Sequence, residues 1–526
     1  MNQQKYKIAR TGDLKNGQKK IVKAGDHQFL LARQNDKYYA VAGHCNHYGA
    51  PFDNAAFHDH KVTCPWHHAA FDVRTGKHLE PPAIDSIPSL DLEIEDGDIY
   101  IIVPDDYKEF RMPDMKVPDH VDEELTYVII GAGAAGNAAA QTLREDGFPG
   151  RIIMFTREEH LPYDRPNLSK DYLSGNAPRE WMPLRDDDFF EKNKIDLRRG
   201  IEIRKINVAE HMVSFTDGGW QSFHKLLIAT GGEPIRLDLP GSDLGRVETL
   251  RTLDDCDRII SQITDAKKAV IVGASFIGME TADSLTRRGL DVTVVAPEST
   301  PFEFTMGKDI GRIVREEHEK NGVKFRMGRK PKRFEGDNLI VRKVVLDNDD
   351  VLDADIVIMG IGVRPTVSDL TRELRLNDDG GVIVDQYLRA AEEVFAAGDI
   401  ATYKDFRTGE LNRIEHWRHA HQQGIVAAHN MAGKNVPYKK VPFFWTRQAG
   451  LGLKHVGTPG KWDETIIDGD MKNREFVVYF VRKGMITAAA GINRNHEIAA
   501  IEELMKIGKM PAPDKIRERP ITEYLT

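Results

Sequence analysis

The residues best suited to chemistry sit in two short segments, Cys45-Asn-His47 and Cys64-Pro-Trp-His67, each carrying one cysteine and one histidine. Zinc fingers usually present their cysteines as one pair and their histidines as another. A 2Fe-2S centre with two thiolates on one iron and two imidazoles on the other is matched instead by two loops that each supply one ligand of each kind. The reading is therefore a 2Fe-2S cluster held by Cys45, His47, Cys64 and His67, with a mixed Cys/His zinc site as the alternative. His44, His58, His60 and His68 lie nearby and are read as ordinary loop histidines, because the four-ligand set is already complete.

A second kind of chemistry is written in Tyr127-Val-Ile-Ile-Gly131-Ala-Gly133-Ala-Ala-Gly136, an apolar strand running into G-x-G-x-x-G and an alanine-rich helix to about Asp146. Gly131 permits the tight turn, Gly133 lets backbone approach a pyrophosphate, and Gly136 packs helix on strand. Arg151–Thr156 reads as the parallel strand that completes the unit. A second cradle follows at Ala269-Val-Ile-Val-Gly273-Ala-Ser275-Phe-Ile-Gly278, with a helix to about Arg288 and the strand Asp291–Val295. Ser275 replaces the middle glycine, whose place a small side chain can take. After that strand stands Ala296, with Glu298 two positions on and no basic residue before Lys308. A ribose 2′-hydroxyl wants a carboxylate and a 2′-phosphate wants Arg or Lys, so NADH is expected, with NADPH second.

These groups need separate scaffolds. Residues 1–104 alternate in short runs such as Gln28–Arg33 and Lys37–Val41, which predicts a small all-β unit. Residues 105–124, with Pro113 and Pro118, read as a linker; if flexible, its ~20 residues reach about 25 Å. The remainder divides into residues 125–250 with 370–435, residues 251–369, and residues 436–526, the last with a helix near Ala499 to Lys509. The chain has 526 residues, 40% of them hydrophobic, and a net charge of −9, a balance that argues against a nucleic-acid partner. No apolar run approaches the ~18 residues of a membrane span and the start lacks a signal-peptide core, so the cytoplasm is the expected location. Three cysteines cannot build a disulfide framework, and Cys256 is read as a plain thiol.

The first module, with Pro65-Trp66 and Phe71-Asp-Val-Arg-Thr-Gly76, resembles Rieske ferredoxins, which carries the cluster assignment over to Cys45, His47, Cys64 and His67. Leu161-Pro-Tyr-Asp-Arg165-Pro-Asn-Leu-Ser-Lys170, Leu226-Leu-Ile-Ala229-Thr-Gly231 and Val394-Phe-Ala-Ala-Gly398-Asp399 resemble the FAD-containing pyridine-nucleotide reductases. By that resemblance Asp399 binds the ribityl chain, Arg165 and Lys170 lie against the flavin, and Lys170 pairs with Glu280 as the catalytic pair. The segment around Ala229 marks the crossover between domains, and Trp417 and Trp445 close over the flavin. The acid expected after the second FAD strand is displaced from Arg157 to Glu158, which is assigned to the ribose.

The whole chain resembles apoptosis-inducing factor-like flavoproteins with an N-terminal Rieske domain. The resemblance implies an all-β Rieske domain, α/β FAD- and NAD-binding Rossmann-like domains and a C-terminal α+β domain. It implies electron flow from NADH through FAD to the cluster and on to a one-electron acceptor protein. The alternative is a redox-sensing interaction protein switched by NADH, and a homodimer is left open. No cysteine stands near Leu168 to Lys170, so thiol chemistry at the flavin is not expected.

Overall fold

The computed structural model describes residues 3–525. The N-terminal unit is all β. Strands His27–Gln34 and Lys37–Ala42 form a hairpin in which Asn35 and Asp36 both take positive φ, the mirror-image turn that matches strand twist. That hairpin belongs to a four-stranded sheet. A second four-stranded sheet, Ala56–His58, Lys61–Thr63, Ala70–Asp72 and His78–Glu80, packs against it through a shared core that includes Leu30, Phe52 and Phe71. The two Cys/His segments are the loops that enter and leave the first hairpin of this second sheet.

The stretch read as a linker is laid along the surface rather than left free. Tyr107 packs its ring on Phe29 with centroids 5.2 Å apart, Arg111 pairs with Ser86 through backbone, and Lys116 N donates to the Arg144 carbonyl. The next strand already begins at Asp122, inside the span read as linker.

A parallel sheet then forms in the order Ile195–Arg198, Gly150–Phe155, Asp122–Ile130, Lys225–Ile228 and Val394–Ala396, with Arg389–Ala391 antiparallel at its edge. Val394–Ala396 arrives from far along the chain, so this domain is built from two pieces. The helix Ala134–Glu145 is almost wholly buried, which its alanines allow. Helix Trp417–Met431 packs on it so closely that a Cβ at Gly424 would stand 2.1 Å from the Ala135 carbonyl oxygen. Between the two pieces lies a second parallel sheet, Val247–Thr249, Ile356–Met359, Lys268–Val272, Asp291–Ala296 and Lys324–Met327.

The C-terminal domain is an antiparallel five-stranded sheet, from Phe443–Gln448 to Met485–Ile492, covered by a helix. That helix runs Asn495–Lys506, earlier than expected. Ile498, Ile501, Leu504 and Met505 give it a buried stripe at helical spacing, and Gly508 at positive φ ends it.

Candidate active site

The first glycine of each cradle takes positive φ against a neighbouring carbonyl, where a Cβ at Gly131 would meet Ala229 O at 2.2 Å and one at Gly273 would meet Gly360 O at 2.4 Å. Gly136 and Gly278 bring their helices onto these turns: a Cβ would stand 1.8 Å from Gly131 O and 2.3 Å from Gly273 O. Gly133 instead faces open space, the place where a pyrophosphate would approach the backbone. Ser275 turns its hydroxyl back to Gly360 O at 2.9 Å, which explains how it stands in for glycine without blocking the cradle.

Both cradles open on one cavity of about 1290 Å³. Gly131, Gly133, Glu158, Arg165, Lys170 and Ala229 line it from the first domain, with Asp399 and Trp417 from the returning piece. Ser275 and Glu280 line it from the second domain and Trp445 from the third. Glu298 does not reach this cavity. Its Oε2 is buried without a partner in the loop after Asp291–Ala296. The expectation that no cation lies near holds along the sequence but not in space. Arg329 N donates to the Ala296 carbonyl and Gly328 N to that of Glu298, so the fold brings Arg329 and Lys330 beside the same loop.

Charged groups in the cavity are anchored rather than free. Lys170 Nζ lies 2.7 Å from Glu280 Oε2, which also accepts from Ser169 Oγ at 2.5 Å, while Oε1 accepts from Thr446 Oγ1 at 2.6 Å. All three domains thus fix one buried carboxylate. Glu158 accepts from Arg165 at 2.7 Å and from Tyr163 at 2.6 Å. Burial would raise its pKa, yet the Arg165 charge and these bonds hold it below the ordinary carboxylate value. Asp399 is held by Arg251 at 3.0 Å.

The two Cys/His loops are built alike. Cys45 N donates to Ala50 O and Cys64 N to Ala69 O, both at 2.8 Å, while Gly49 N and His68 N return to the two cysteine carbonyls. Gly49 and His68 occupy matching positions at φ 72° and 58°, so a histidine stands where the geometry favours glycine. The buried thiols of Cys45 and Cys64 lie side by side, each facing backbone N–H groups of its own loop. His47 and His67 meet through their Nδ1 atoms at 3.1 Å. Burial pushes the His47 imidazole down to about 3, which keeps it neutral as a ligand must be. Thiol faces thiol and imidazole faces imidazole, the ligand pairing that two irons with unlike ligands need.

The cluster loops sit against the cavity wall. The Trp445 ring lies 4.5 Å from that of His67 and 5.0 Å from that of His416, another residue lining the cavity. Tyr48, whose ring packs on His47, donates its hydroxyl to Asp164 beside Arg165. His68 is fully buried, stacked on Phe443 at 3.8 Å, with Nδ1 2.6 Å from Glu502 Oε2. Arg418 reaches Glu502 Oε1 at 2.9 Å, Pro81 O at 2.8 Å and His68 O at 3.3 Å. Lys440 and Gln422 bind Glu80, and Arg185 binds Asp85 at 2.6 Å. His68, expected to be an ordinary loop histidine, is instead buried in this network, and Arg418, beside Trp417, joins it with no local sequence signal.

Comparison with known proteins agrees with this architecture. Residues 125–424 match the Pyridine nucleotide-disulphide oxidoreductase family, residues 4–91 the Rieske 2Fe-2S domain and residues 443–521 the Reductase C-terminal domain. The chain belongs to the pyridine nucleotide-disulphide oxidoreductases and carries a Rieske domain at its N-terminal end. It is an oxidoreductase whose cofactors are FAD, NAD(H) and a 2Fe-2S cluster, and the cradles and paired ligands described above fit them. It is 32% identical to Apoptosis-inducing factor 3 of Homo sapiens over 98% of this chain and 86% of that protein. It is 33% identical to the 3-phenylpropionate/cinnamic acid dioxygenase ferredoxin–NAD(+) reductase component of Photorhabdus laumondii, over 72% of this chain and 96% of that one. A solved covalent putidaredoxin reductase–putidaredoxin complex superposes with TM-score 0.73 at 27% identity, covering 77% of this chain and 99% of that chain. No helix among the described residues is long and apolar enough to cross a membrane.

Proposed function

We propose that this chain passes electrons from NADH through FAD to its own Rieske cluster, and from there to a one-electron acceptor protein. The observation that carries the reading is Trp445, which lines the dinucleotide cavity on one side and packs against the ligand His67 on the other. When bound, FAD can take two electrons as hydride and release them singly, and a Rieske cluster accepts one.

The protein's part is to orient and to insulate. The Lys170–Glu280 pair, fixed by Ser169 and Thr446, holds an ammonium in the cavity wall, where it would favour negative charge on a bound flavin. Trp445 and His416, whose rings are in contact, wall the side of the cavity toward His67, and Trp417 lines it beside them. The docked position of the Rieske domain replaces the diffusive search that a loose tether would leave. The solved complex joins a reductase to a separate partner protein, and in this reading the Rieske domain takes such a partner's role within one chain.

Anaerobic rapid mixing of the full chain with one equivalent of NADH tests the reading. Bleaching of the flavin should be followed by the spectrum and paramagnetic signal of a reduced Rieske centre, at a rate unchanged by dilution. A cluster that stays oxidised while the flavin is reduced, or a rate proportional to protein concentration, refutes the internal route.

A further inference from the structure

Lys454 belongs to the C-terminal sheet, in the strand Leu451–Gly457, yet its side chain ends beneath the second cluster loop. Nζ donates to Pro65 O at 2.6 Å and to Asn495 Oδ1. Both partners are acceptors and favour the ammonium; burial lowers its pKa to about 8, so the charge is present at and below neutral pH. The residue is buried, does not line the dinucleotide cavity, and forms no ion pair with a carboxylate among the described residues. A buried lysine without an anion is costly, which asks what negative group it serves.

The bond to Pro65 O points to Cys64, the residue directly before Pro65 in the same loop. A cluster of two ferric irons, two sulfides, two thiolates and two neutral imidazoles carries no net charge. After one added electron it carries a single negative charge. A fixed positive charge beside a ligand thiolate therefore favours the reduced form.

We propose that Lys454 tunes the reduction potential of the cluster: the reductase part of the chain supplies the charge that makes the docked Rieske domain the better electron acceptor. This requires the cluster but not the internal electron route. Lys454 acts as a positioning and tuning residue, since it touches the loop and not the irons.

The test is a paramagnetic-resonance redox titration of the full-length chain. Lys454→Gln should lower the equilibrium constant for reduction roughly tenfold, a downward shift of about 59 mV for one electron. The shift should persist at high salt, because a buried charge is poorly screened. Lys454→Arg should keep the wild-type midpoint. Lys440→Gln combined with Glu80→Gln removes both charges of the 2.6 Å pair at the same interface, leaves the net charge unchanged, and should leave the midpoint in place. Should the Gln variant fail to assemble its cluster, Lys454→Met offers an apolar side chain of similar length with the same expected shift. An unchanged midpoint without the lysine charge overturns the proposal, as does an equal fall in Lys454→Arg or in the charge-neutral Lys440→Gln, Glu80→Gln pair.

Discussion

Replacing Glu502 with glutamine should loosen the Rieske domain from the reductase without unfolding either. Glu502 lies at the centre of the contact, 2.6 Å from His68 and 2.9 Å from Arg418. Burial would raise its pKa, but the Arg418 charge and the His68 bond hold it down to about 2. Against an ordinary value near 4.5, that depression corresponds to about 3 kcal/mol of stabilisation. Breaking a buried ion pair from one side costs about 3–5 kcal/mol, the same scale, because Arg418 would keep its charge at 2% exposure. Hydrogen–deuterium exchange reads the result. The amides of Cys64 and His68, bonded within the cluster loop, should lose roughly 100-fold protection, while those of Tyr127–Ile130 serve as an unchanged reference. Since the folded-state pKa lies below the unfolded one, the contribution is whole above about pH 4.5 and is lost as pH falls towards 2. Wild type and variant should converge there. Equal protection at neutral pH, or exchange rising equally in the reference strand, would show that Glu502 does not hold the two parts together.

Cys45→Ser or His67→Ala should abolish the Rieske-type paramagnetic signal and leave FAD bound; loss of both cofactors would show that the ligand loops also hold the flavin domain. Gly136→Ala puts a Cβ 1.8 Å from Gly131 O and should destabilise the first cradle by about 1–3 kcal/mol, read as a lower melting temperature and reduced flavin content with the cluster signal intact. NADH should be preferred over NADPH by roughly 10- to 100-fold in kcat/KM, and Glu298→Ala should bring the ratio towards one; an NADPH preference in wild type would assign the loop to Arg329 and Lys330 instead.

What could be read from the sequence was chemistry local in the chain. Both cradles and both Cys/His loops place their working residues within a few positions of one another, so spacing alone displays them. The Lys170–Glu280 pair spans two domains and came through resemblance, and the structure brings the two within 2.7 Å. The residues that dock the Rieske domain had no such signature. His68, Arg418, Lys454 and Glu502 are charged or polar residues on a loop, a helix, a strand and another helix, and each looks like a solvated side chain until tertiary contact buries it. The same limit applies to Arg329, which is distant from Ala296 along the chain and adjacent to it across a pair of parallel strands.

The helix Trp417–Met431 has two working faces. Trp417, Ala420 and Gly424 belong to the flavin side, the last in backbone contact with Ala135, while Arg418 and Gln422, one turn apart, grip the Rieske domain at Pro81, His68 and Glu80. A substitution that tilts this helix to suit one redox partner disturbs its fit to the other. Exchanging the Rieske domain for that of a relative should therefore give a chain that folds in parts but conducts poorly, until residues on the far side of the same helix are changed to match. The two halves are bound to vary together, and a lineage carrying this fusion would find it harder to exchange its Rieske domain than one whose iron-sulfur protein is separate.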